Sequence, residues 1–153
     1  MLNLMTFEIG NKFYALETGI LIEIIQAVQI TIVPGSSESI CGVINYRGTL
    51  LSVINGSKLL GVDFKLPLIQ QHMLILSNGT DSTVPQLCLL VDQVLKFESP
   101  NEVKNISEVI TDAQDNEIIE FIAKLEIGLV PVLNNAALIR RFSTNAFANM
   151  TAN

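Results

Sequence analysis

The apolar residues of this chain come in short, β-branched runs, and none continues far before a polar or turn-forming residue interrupts it. Leu21 to Thr31 is typical: an Ile-rich stretch with Glu23, Gln26 and Gln29 set into it. Apolar residues make up 49% of the 153 and lift the mean hydropathy to +0.45, yet no run approaches the roughly 20 residues that a membrane-spanning helix needs. Direct insertion into a membrane is therefore not expected. Charged residues are only 16%, against the low-hydrophobicity, high-charge composition of disordered chains. The length suits one compact unit with room for two lobes. Met1 to Thr6 carries no basic region followed by an apolar stretch and cleavage site, so the expected location is cytoplasmic.

Short runs punctuated by turn residues predict a mainly β fold. Met5, Phe7 and Ile9 alternate with Thr6 and Glu8, Gly10-Asn11 supplies a turn, and Phe13 to Leu16 resumes, which is a hairpin. Leu21 to Thr31 fits a helix by periodicity or a strand by its β-branched content, and the strand is favoured. After the break at Pro34-Gly35-Ser36-Ser37, Gly42 to Tyr46 and Thr49 to Ile54 read as two strands joined tightly by Arg47-Gly48. Asn55 then caps a short helix carrying Leu59 and Leu60. The pattern returns late in the chain: Val53, Asn55 and Leu59 correspond at one offset to Val132, Asn134 and Leu138, which predicts two related halves. Met73 to Leu76 and Leu87 to Val91 read as strands around the polar loop 77–82, with Val94 to Phe97 extending the same lobe. Pro100 to Asn116 reads as a surface connection, and 143–153 as a frayed tail after a domain spanning 4–142.

Most site chemistries lack their residues. Cys41 and Cys88 lie among apolar neighbours, as buried thiols do, and His72, the single histidine, has no Cys, Asp or Glu at a ligand-like spacing. It reads as structural. Gly42, Gly48, Gly61 and Gly128 are scattered singly rather than gathered into a phosphate-cradling loop. Asp112, Asp115, Glu117 and Glu120 lack the alternating spacing and central glycine of a calcium loop. A net charge of −6 and a pI near 4.6 argue against nucleic acid as a partner. No metal, cofactor or catalytic residue is expected, and the partners should be proteins.

The series Phe7-x-Ile9-Gly10-x-x-x-Tyr14-Ala15-Leu16, Glu23-Ile24, Ile40-x-Gly42-Val43-Ile44-Asn45-x-Arg47-Gly48 and Leu89-Leu90-Val91-Asp92-x-Val94 resembles the CheW-like family, in order and over roughly residues 4–142. The resemblance implies two small five-stranded β-barrel subdomains with short helices, packed around a shared apolar core. It implies a non-enzymatic adaptor of bacterial chemotaxis-type signalling, coupling the cytoplasmic tip of a chemoreceptor to the regulatory domain of a CheA-type histidine kinase. The same adaptor role in a pilus-driven twitching pathway is the alternative, and a small β-barrel ligand-binding protein or enzyme is a weaker one. Carried over by position, Arg47 with Asn45 and Gly48 belongs to the family's Asn-x-Arg-Gly motif and is expected at the receptor-binding groove. Leu21 and Glu23 lie on a strand lining the same region. The family usually reads Pro-Val-Ile-Asp-Leu-Arg where this chain has Ser52-Val53-Ile54-Asn55-Gly56-Ser57, which removes a possible ion pair and puts the standard partner set in doubt.

From chemistry alone, Arg47 has two readings of equal weight. Its guanidinium either recognises a partner's carboxylate or carbonyls, or pins its own loop. Glu23 reads as solvated or paired to a nearby base, with its partner role resting on the resemblance. Because no ligand cluster couples metal binding to folding, a chelator should leave the thermal midpoint unchanged. A shift of several degrees would reveal a metal site that the spacings hide.

Overall fold

The computed structural model describes residues 2–110 and 117–142. Asp112, Asp115 and the tail 143–153 lie outside the described residues. The described chain contains eleven strands: β1 (Leu4–Ile9), β2 (Lys12–Glu17), β3 (Leu21–Gln26), β4 (Ile40–Tyr46), β5 (Thr49–Asn55), β6 (His72–Ser77), β7 (Pro85–Val91), β8 (Gln93–Glu98), β9 (Glu102–Asn105), β10 (Ile119–Leu125) and β11 (Gly128–Leu133). Three short helices, α1 (Gly56–Leu60), α2 (Ile106–Val109) and α3 (Asn135–Phe142), accompany them.

The strand-and-cap motif that recurs in the sequence recurs in the structure. Asn55 accepts from the Lys58 amide (3.1 Å) to start α1, and Asn134 accepts from the Ala137 amide (3.1 Å) to start α3. Both strands that feed these caps make a parallel pairing: β5 with β7, and β11 with β2. All other ladders are antiparallel.

The strands form two sheets, a first in the order β8-β1-β2-β11-β10-β9 and a second in the order β3-β6-β7-β5-β4. The expected mainly β fold of two small barrel-like subdomains is borne out as two sheets, with six strands rather than five in the first and neither ladder closing on itself among the described residues. The extra strand is β9, from the polar segment expected to be a connection. Its four residues are all exposed, so they lack the buried alternation by which a strand is recognised. A second correction concerns β8, which pairs with β1 rather than joining β6 and β7. The predicted strand from Leu21 to Thr31 ends its regular pairing at Gln26, and Thr31 alone reaches β4, opposite Val43. That crossing is tight: a Cβ on Gly42 would meet the Thr31 carbonyl oxygen at 2.1 Å.

The central strands of each sheet bury both faces. Met5, Phe7, Leu16, Leu74, Leu76 and Leu89 pack between the sheets with Leu138 and Phe142 of α3. Leu4, Ala15, Ala123 and Val132 fill the other side of the first sheet, and Ile44, Val53, Met73, Ile75 and Cys88 that of the second. Alternation along β6 sends Leu74 and Leu76 one way and Met73 and Ile75 the other, which is why this strand reads as an unbroken apolar run.

Asp92, between β7 and β8, is fully buried where the chain passes from the second sheet to the first. Its carboxylate accepts from the amides of Gly10 (2.6 Å), Lys65 (3.0 Å) and Leu66 (3.0 Å). Asp92→Ala should cost about 3 kcal/mol by leaving three amides without their acceptor, lowering the thermal midpoint by roughly 10 °C. Asp92→Asn, which keeps one carbonyl acceptor, should cost less. Equal midpoints for the wild type and both variants in a denaturation series would refute this role.

Candidate functional site

The β4–β5 connection is two residues long, since Tyr46 pairs with Thr49. Arg47 (φ 51°) and Gly48 (φ 89°) both have positive φ, as in a type I′ hairpin turn. Asn45 holds the turn by accepting from the Gly48 amide at 2.8 Å. A left-handed arginine costs roughly 1 kcal/mol, and side-chain contacts offset the strain. The Arg47 guanidinium lies 5.0 Å from the centre of the Tyr46 ring, and its Nη2 meets Glu23 Oε1 at 3.0 Å. The Tyr46 hydroxyl donates to the other Glu23 oxygen. This bond and partial burial push the Tyr46 phenol up, so it remains a donor at neutral pH.

The cluster joins the two edges of the second sheet. Glu23 belongs to β3 at one end of the strand order, and Tyr46 to β4 at the other. Arg47 therefore does pin local structure, which was one of its two readings. Its side chain is nevertheless 72% exposed, against 33% for Glu23, so a partner can reach it.

Of the residues singled out in the sequence, the structure gathers Glu23, Asn45, Arg47 and Gly48 around this turn. Leu21 instead packs against the inter-sheet core, because an irregularity between Leu21 and Glu23 shifts the register of β3. Tyr46 was missed, although an aromatic beside a turn arginine was a usable sign. Also missed was a cleft of about 280 Å³ beside Arg47, bounded by Ile22, Thr49, Thr83 and Pro85. A second cleft of about 390 Å³ runs along β4 past Val28, Gln29, Asn45 and Leu50.

The departure at residues 52–57 has a local rationale. Asn55 caps α1, as an aspartate would. Gly56 lies against β7, where a Cβ would meet the Leu90 carbonyl oxygen at 2.4 Å and Ile9 Cδ1 at 2.6 Å. A leucine there would need the backbone to shift.

The remaining reactive groups are held quiet. Cys88 is buried and Cys41 half-buried, and both are free thiols. Burial pushes Cys41 up to about 11 and Cys88 higher still, with Cys41 itself adding to the second effect. His72 Nδ1 lies 3.2 Å from the Asp92 carbonyl oxygen, a structural contact. Among the described residues no three His, Cys, Asp or Glu side chains are grouped to hold a metal, and no helix is long and apolar enough to cross a membrane.

Comparison with known proteins points one way. The family model described as the CheW-like domain matches residues 3–143. The chain is 32% identical over 110 residues to the chemotaxis protein CheW of Thermotoga maritima, covering 68% of each chain. Its fold is similar to that of the scaffolding protein TtCheW from Thermoanaerobacter tengcongensis, with a TM-score of 0.72 at 24% identity, covering 87% of this chain and 88% of that one. The chain belongs to the CheW-like domain family, the scaffolds and adaptors of chemotaxis signalling.

Proposed function

We propose that this chain is a non-enzymatic, cytoplasmic adaptor that couples the tip of a chemoreceptor to the regulatory domain of a CheA-type histidine kinase. The observation that carries this reading is the turn at Arg47: a largely exposed side chain whose guanidinium is oriented by Glu23 and Tyr46, with one cleft beside it and a second past Asn45. Orientation matters because an arginine whose rotamer is already set loses less entropy when a partner's carboxylate or carbonyls arrive. Asn45 and Gly48 hold the turn's backbone, Glu23 aims the guanidinium, and Leu21 links β3 to the inter-sheet core.

A ligand-binding or hydrolytic barrel needs a nucleophile beside a base. The described thiols are raised away from their reactive form, and His72 is engaged with a backbone carbonyl. A second adaptor reading has one observation in its favour. The Asn55-Gly56-Ser57 departure fits a divergent paralogue serving a pilus-driven pathway, with the same coupling chemistry and a different receptor and kinase.

Recovery of a CheA-type kinase and a chemoreceptor together, with this chain as bait, tests the coupling itself. Recovery of neither would count heavily against it. Arg47→Ala should weaken assembly about 30-fold, or ~2 kcal/mol, with Arg47→Glu worse because it sets a second carboxylate beside Glu23. The thermal midpoint should fall by no more than about 3 °C, since an exposed ion pair contributes at most about 1 kcal/mol.

Arg47→Gly separates the two roles. It relieves the positive-φ strain while deleting the guanidinium, so the midpoint should hold or rise while the affinity still falls. Midpoints and both affinities measured on one preparation decide the matter, and unchanged affinities in all three variants would sink the assignment of Arg47.

A further inference from the structure

The polar strand β9 ends the first sheet, and no strand among the described residues lies on its outer side. All four of its residues are exposed, including Val103 at 38%. Bare edges invite pairing, and charged residues such as Glu102 and Lys104 ordinarily discourage it. Here, however, the charges are arranged symmetrically. Residues 101–105 read Asn-Glu-Val-Lys-Asn, a sequence whose pattern inverts about Val103.

Antiparallel pairing of two such edges centred on Val103 sets Glu102 opposite Lys104 of the second copy, and Lys104 opposite its Glu102. Asn101 faces Asn105 and Val103 faces itself. Centring instead on Glu102 or Lys104 puts like charges face to face, so the charges choose one register and disfavour its neighbours. Among the described residues the ion pair that Glu102 and Lys104 make is with each other, and it is loose, at 4.0 Å. Beside the edge, the outer face carries Ile122, the half-exposed Val109 and the largely exposed Leu129, which supply apolar surface at the same place.

We propose that β9 is a self-association edge through which two copies of this chain pair antiparallel and isologously, joining their six-stranded sheets across a two-fold axis. The occupant is a second copy because only a strand with the same inverted charge pattern meets this one at every position. With only a short strand at the contact, the dimer is weak and reversible.

Sedimentation equilibrium of the full chain up to about 1 mM tests the proposal. The wild type should show a concentration-dependent monomer–dimer equilibrium. Glu102→Lys and Lys104→Glu each create two like-charge pairs, and each should weaken the dimer about tenfold or more. An equimolar mixture of the two variants restores both opposite-charge pairs and should form a heterodimer, while the double variant should dimerise like the wild type. A wild type that stays monomeric at ~1 mM, single variants that dimerise undiminished, or a mixture that fails to associate would each overturn it. Circular dichroism of every variant confirms that the fold is intact.

Discussion

The arrangement of the two sheets depends on one buried carboxylate. Asp92 sits at the crossing between sheets with every polar group engaged. Its side chain takes three amides, its own amide donates to the Glu8 carbonyl at 3.0 Å, and its carbonyl lies beside His72. The three amides come from the β1–β2 turn of the first sheet and from the segment between α1 and β6, which joins two strands of the second. An ionised group without solvent is tolerable only when hydrogen bonds replace its water. The surrounding chain is thereby fixed to the geometry that provides them. Next to it the buried Glu8 pairs with Lys65 at 2.6 Å and accepts from Gln93, a second polar tie between the same segments.

Neither sheet closes through its backbone among the described residues; side chains bridge the two edge strands of the second, and in the first they tie the edge strand β8 to the β10–β11 turn and leave the other edge, β9, open. At the first, Lys96 of β8 pairs with Glu98 (2.9 Å) and with Glu126 in the β10–β11 turn, whose amide donates to Glu98 (3.2 Å). At the second, Glu23, Tyr46 and Arg47 do the same across β3 and β4. A backbone ladder saturates its own groups, whereas a side-chain bridge keeps charge at the surface where another protein can reach it. The proposed binding turn is therefore a product of incomplete closure: a sheet sealed by hydrogen-bonded strands would have no oriented arginine to offer.

Local chemistry was legible in the sequence, and long-range pairing was not. Gly10-Asn11 announced the first hairpin, Asn55 and Asn134 announced their helices, and the repeat of Val53-Asn55-Leu59 announced the second half. These depend on residues within a few positions of each other. That β8 would join β1 and not β6 depends on Asp92 binding an amide from residue 10, a contact spanning most of the chain. The strand β9 was hidden because its only apolar residue is Val103. At the site, Arg47 and Glu23 were each visible through the family pattern. Their contact was not, because it joins opposite edges of a sheet whose strand order no local pattern encodes, and Tyr46 drew no notice until that contact placed it.

The strand order also carries a consequence for how the chain is made. The second sheet is one continuous stretch, β3 to β7, complete once Val91 has been synthesised. The first is assembled from the two ends of the chain, β1 and β2 from one and β8 to β11 from the other. Emerging from a ribosome, the opening hairpin must wait for more than half the chain before its neighbours β8 and β11 exist. Its apolar faces have the newly formed second sheet as their only early partner. The part of the inter-sheet core supplied by β1, β2, β6 and β7 can gather before β11 and α3, which complete it with Leu133, Leu138 and Phe142, are synthesised. The nested sheet thus acts as a template on which the divided one is completed.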